Sequence, residues 1–119
     1  IMPSLVGSEM CIRDRRALAE QGVGTWLPDP EDGQGEVDTC IREVKAGRFE
    51  AGGAALERAC ARAVAAGATA LIMACTELPI AARYANTAGL ALVDSSLELA
   101  RASVAYALDR GWNRPGWDS

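Results

Sequence analysis

The chain has 119 residues, which bounds it to one domain at most. A net charge of −4 and the lack of any basic patch exclude a non-specific nucleic-acid binder, and no apolar run approaches the ~20 residues that span a bilayer. Half the residues are apolar, yet 23 are Ala and only one is Phe, so a core would be built of small side chains that bury little area each.

The first fifteen residues stand apart. Leu5 to Asp14 resembles the in-frame translation of a transposase adaptor used in library preparation, and Arg15 fits the codon that such an adaptor leaves incomplete. Residues 1–15 are therefore expected to be non-native. On that reading Cys11 has no biological role, and the gene begins upstream. From Arg16 to Gln21 the pattern is the end of a helix, with Gly22 as its stop. Gly24-Thr25-Trp26-Leu27 predicts a short strand ended by Pro28-Asp29-Pro30, and residues 29–35 predict a polar loop.

Val37, Ile41 and Val44 recur at i, i+4 and i+7, which predicts a helix from Gly35 to Ala46 with Gly47 as its stop. A second helix is predicted from Gly53 to Ala66, with Leu56, Cys60, Ala63 and Val64 on its apolar face and Gly67 ending it. Cys40 and Cys60 are expected to pack as small hydrophobes. Ala70 to Ala74 predicts a strand, and residues 77–85 a short helix followed by a loop. Leu90 to Val93 is the last strand. Ser95 with Glu98 is expected to form a capping box for a helix from Ser96 to Arg110. Residues 111–119 form a tail, and 16–110 the structured unit.

The chemistry gathers at Ala70-Leu71-Ile72-Met73-Ala74-Cys75-Thr76-Glu77-Leu78-Pro79. Five apolar residues without alternation suit a strand buried on both faces of a parallel sheet. Ligands of open α/β sheets bind at the carboxyl ends of the strands, where Cys75 falls. Pro79 fits the first turn of a helix, so Thr76 or Glu77 is expected near its N-cap. Exposed amides there would hold a carboxylate. Asp94 lies at another strand's carboxyl end, near the same cleft. Four cysteines (Cys11, Cys40, Cys60, Cys75) without close pairs or metal-type spacing, and the absence of His, argue against a metal site. They point to reduced thiols in a cytoplasmic protein.

Cys75-Thr76-Glu77-Leu78-Pro79 after a hydrophobic strand resembles the second cysteine motif of the aspartate/glutamate racemases, which need no pyridoxal phosphate. The resemblance runs from about Ala17 to Leu108. It includes Pro28-Asp29, Ile41-Arg42-Glu43 with Gly47-Arg48-Phe49, and Leu92-Val93-Asp94-Ser95-Ser96. Glu77 stands where the glutamate racemase branch usually has His, which places the resemblance in the aspartate racemase branch. It implies an α/β fold, a parallel-sheet three-layer flavodoxin-like lobe, here incomplete because the first lobe is missing.

The resemblance further implies a cofactor-independent isomerase acting on an amino acid such as aspartate. Two thiols on opposite sides of Cα would remove and return its proton. Cys75 is then one catalytic thiol, and a helix N-terminus would lower its pKa. Thr76 would hold the substrate carboxylate through its amide and hydroxyl. Glu77 would orient its neighbours, bind the substrate ammonium or favour the helix start. The family's other thiol comes from an Asn-Thr-containing motif of the first lobe, and Asn86-Thr87 in a loop does not replace it. The chain alone is thus expected to be inactive, needing the missing lobe or a second subunit; the parent's oligomeric state, a homodimer included, is left open. Alternatives are maleate isomerisation or hydantoin racemisation, which also use a strand-end cysteine, and a non-catalytic truncated product with an inert Cys75.

Overall fold

In the computed structural model, residues 3–4, 10–28 and 33–112 are described. The elements run β1 (Pro3–Ser4), α1 (Met10–Glu20), α2 (Gly33–Lys45), α3 (Phe49–Ala65), β2 (Ala70–Met73), α4 (Leu78–Ala82), β3 (Ala91–Asp94) and α5 (Ser95–Asp109). The fold is mixed α/β around a small parallel sheet. Its body is the β2–β3 pair, in register from Ala70 opposite Ala91 to Met73 opposite Asp94. The two-residue β1 lies parallel along the other edge of β2, with Pro3 opposite Ala70.

Helices α2 and α3 form an antiparallel hairpin, turned at Gly47, whose φ of +79° is open to glycine at no steric cost. The expected stripe on α2 is real, with Val37 and Val44 buried and Ile41 packed against the core. Cys40 and Cys60 are fully enclosed, as their small apolar character predicts. On α3, Leu56, Cys60 and Ala63 are buried, but Val64 turns outward. Leu71 and Met73 of β2 and Leu78 and Ala81 of α4 complete the same core.

Helix α3 begins at Phe49, four residues before the expected Gly53. Gly52 and Gly53 lie inside the helix, where they serve close packing. A Cβ on Gly53 would lie 2.5 Å from the Tyr84 carbonyl oxygen, and one on Gly52 would lie 2.8 Å from Val44 Cγ2. The glycines let α3 touch both α2 and the turn after α4.

The strand expected at Gly24–Leu27 does not form; Trp26 makes a single isolated bridge. The loop expected over 29–35 ends early, since α2 begins at Gly33; residues 29–32 lie outside the described residues, as does most of the 111–119 tail. Helix α1 runs unbroken across the expected boundary at residue 15.

Strand β2 is not buried equally on both faces. Leu71 and Met73 are enclosed, whereas Ala70 and Ile72 are only partly covered. The α2–α3 hairpin and α4 cover one face, and α5, which follows β3, buries none of its residues. Among the described residues, no helix is long and apolar enough to cross a membrane.

Candidate functional site

Three features place the turn after β2. The strand ends at Met73, the chain bends through Cys75-Thr76-Glu77, and α4 starts at Leu78. Leu78 and Ala81 are fully buried and pull this turn onto the core. Pro79 sits in the first turn of α4, where its missing N–H leaves no intrahelical bond unmade. Cys75 is consequently held half-buried at the carboxyl end of β2, packed against the core.

The backbone N–H groups of Leu78 and Glu77 favour a thiolate at Cys75. A thiolate there would be stabilised, as a helix N-terminus was expected to do. The net effect is nonetheless opposite. Burial pushes the Cys75 thiol up, and the Glu77 carboxylate adds to this by its charge and by accepting a hydrogen bond from the thiol, so that the amides are outweighed. Helix α4 also has only five residues, too few to build a full macrodipole. The expected lowering of the thiol pKa is therefore corrected.

Glu77 occupies the N-cap position of α4, but its side chain makes no capping bond. Partial burial opposes its charge; its own amide, the Thr76 hydroxyl and the Cys75 thiol, all donating to the carboxylate, together with Lys45, hold it below the usual carboxylate range. Lys45 Nζ lies 4.0 Å from Glu77 Oε1. Residue reading missed this lysine, which closes α2 where a cation is explained by the helix dipole alone. Thr76, expected to hold a carboxylate, is exposed, and its hydroxyl is turned to Glu77. Cys75, Thr76 and Glu77 are thus electrostatically linked. Cys40 lies within electrostatic reach of them: burial, then Cys75, Cys60 and Glu77, push its thiol up to about 12.

The neighbouring strand end also departs from expectation. Asp94, not Ser95, caps α5: its Oδ1 accepts from the amides of Ser96 at 3.0 Å and Leu97 at 3.2 Å. The proposed box with Glu98 is absent because the helix starts one residue earlier, and Glu98 instead pairs with Arg101. Ser95 is freed for a different contact. Its hydroxyl donates to the Met73 carbonyl at 3.0 Å and ties the end of β2 to the start of α5.

Among the described residues, two cavities lie elsewhere. One of about 480 Å³ opens at the α2–α3 corner beside Arg48, Phe49 and Tyr84, and one of about 370 Å³ runs along α5 at Val104 and Leu108. Neither includes Cys75. Among the described residues, no group of His, Cys, Asp and Glu is arranged to hold a metal ion. No family model matches the chain, and no curated protein matches it.

Proposed function

We propose that this chain carries the Cys75-bearing part of a cofactor-independent amino-acid racemase of the aspartate racemase type, on an incomplete flavodoxin-like lobe. The observation that supports this reading is the Cys75 sulfur itself. It lies at the carboxyl end of a parallel strand, where the backbone amides of Glu77 and Leu78 favour its thiolate and the Glu77 carboxylate opposes it. A base that removes a Cα proton must become anionic when substrate is present and stay protected otherwise. With Glu77 charged and only Lys45, 4.0 Å away, to balance it, the proton stays on sulfur. An amino acid whose ammonium approaches Glu77 offsets that negative charge, and the amides of Glu77 and Leu78 are then left to stabilise the thiolate. The Cys75 thiol gives its proton to solvent water as substrate binds; the Cα proton then moves to the Cys75 thiolate, and an acid on the other face of Cα delivers its own proton to give the opposite enantiomer. That second acid has no candidate in the Cys75 group, and this reading assigns it to a first lobe or another subunit in the cytoplasm.

The test is Cα–H/D exchange and inversion of L- and D-aspartate in deuterated buffer. The 119-residue chain alone should give no measurable inversion. A longer polypeptide that adds a lobe bearing a second thiol should racemise, and Cys75→Ser in it should lower the rate by about 10²–10⁴. Normal turnover by the isolated chain, or a Cys75→Ser variant of the longer one with full activity, would overturn the two-thiol reading. The raised thiol pKa favours one competing reading, a non-catalytic product in which Cys75 is inert.

A further inference from the structure

Lys45 is the one lysine of the chain; every other basic side chain is an arginine. It closes α2, and the arginines on either side of it are engaged elsewhere. Arg42 Nη2 donates to the Thr39 hydroxyl at 3.3 Å, and Arg48 pairs with Glu43. Lys45 Nζ reaches instead to the turn after β2, 4.0 Å from Glu77 Oε1. The lysine side chain is 67% exposed and that of Glu77 is 18% exposed. An ion pair with so exposed a partner contributes little to stability. The helix dipole accounts for a cation at the end of α2, but not for its facing an acid two residues from the Cys75 sulfur.

We propose that Lys45 is a positioning residue for Cys75: its ammonium draws the Glu77 carboxylate toward itself and so limits the hold of that carboxylate on the Cys75 proton. The use of Cys75 as a base rests on the racemase reading above; the link from Lys45 through Glu77 to the thiol does not. The Glu77 amide, the Thr76 hydroxyl, the Cys75 thiol and Lys45 all favour the charged carboxylate, so they share it. A carboxylate turned toward the ammonium bears less on the thiol, because charge interactions fall with distance. The other titratable groups packed here are thiols, Cys40 of α2 and behind it Cys60 of α3, pushed up to about 12 and about 11 and hence neutral at pH 7. Helix α4, Leu78 to Ala82, brings no titratable side chain. Lysine also suits this task better than arginine. Its ammonium is a compact charge on a flexible stem, whereas a planar guanidinium would grip both carboxylate oxygens at once.

The pH profile of Cys75 alkylation by iodoacetamide, in the whole chain with Cys11→Ser, tests this. Lys45→Gln should move the profile to higher pH and slow alkylation at pH 7.5 several-fold, with unchanged far-ultraviolet circular dichroism. Lys45→Arg, which keeps the charge, should react no more slowly than the native chain. In a Glu77→Gln background the Lys45→Gln change should have no effect, because the carboxylate through which it acts is gone. The single lysine permits a second readout on the folded native chain. Acetylation by N-hydroxysuccinimide acetate should reproduce the slowing of Lys45→Gln, and Lys45→Arg, in which only the terminal amine is acetylated, is the control. An unmoved profile in Lys45→Gln overturns the proposal, as does a loss of stability alone, which would leave Lys45 a helix-end charge. Equal slowing with and without Glu77 overturns it too, since the lysine would then act on the thiol directly. None of these readouts needs turnover. A moved profile beside a longer polypeptide that fails to racemise would reject the racemase reading and keep the Lys45 link; racemisation with an unmoved profile would do the reverse.

Discussion

At the scale of single residues, the Cys75 group is governed by a contest between backbone amides and one carboxylate. Two amides favour the thiolate, while burial and Glu77 disfavour it, and the second pair prevails. Removing the Glu77 charge should reverse part of that balance. In a Cys11→Ser background, Glu77→Gln is expected to lower the Cys75 pKa and to speed its alkylation by iodoacetamide at pH 7.5 several-fold. Cys40 and Cys60, enclosed and pushed up to about 12 and about 11, should stay unreactive in the folded chain. An unchanged or slower Cys75 rate would mean that the carboxylate does not control the thiol. Motif reading found Cys75, Thr76 and Glu77. It could not find Lys45, thirty-two residues before Glu77, because only the packing of α2 against α4 brings the two charges to 4.0 Å.

At the scale of elements, two sets of variants separate the observed structure from the one expected from local signals. Gly53→Ala places a methyl group 2.5 Å from a backbone oxygen, which cannot step aside as a side chain would. It should destabilise the chain by about 1–3 kcal/mol despite a helix-propensity gain of up to ~1 kcal/mol, read from urea unfolding. Gly52→Ala meets a Val44 methyl group, so Val44→Ala should recover much of its cost, while the same change should not rescue Gly53→Ala. At the start of α5, Asp94→Ala should cost about 1 kcal/mol through loss of the cap. Ser95→Ala should leave α5 helicity intact and loosen the end of β2 instead, seen as faster amide exchange near Met73. Equal loss of α5 helicity in both variants would restore Ser95 as the cap.

At the scale of the whole molecule, stability is concentrated on one side. Seven residues of α3 are buried and none of α5 is. Hydrogen exchange should therefore show α3 and β2 most protected and α5 least. Exchange in α5 as slow as in α3 would show that its amides are held as firmly despite its exposure. The uneven burial also bears on function. An α/β sheet covered on one face leaves its strand ends, Cys75 included, beside surface that another lobe or copy can complete.

The sequence by itself determined the α2–α3 pair, the hydrophobic strand at Ala70, the last strand and helix, and the cluster of chemistry at Cys75. These are local matters: a 3.6-residue stripe, an unbroken apolar run and a proline in a first turn each act within a few residues. Tertiary structure alone decided the rest. Gly52 and Gly53 belong inside α3 because Val44 and Tyr84 press against them. Asp94 takes the cap and Ser95 reaches Met73 because β3 feeds α5 without a linker. The direction of the Cys75 pKa belongs to the same class. It is a sum of burial, charge and hydrogen bonds that exists only once distant segments have packed around the thiol.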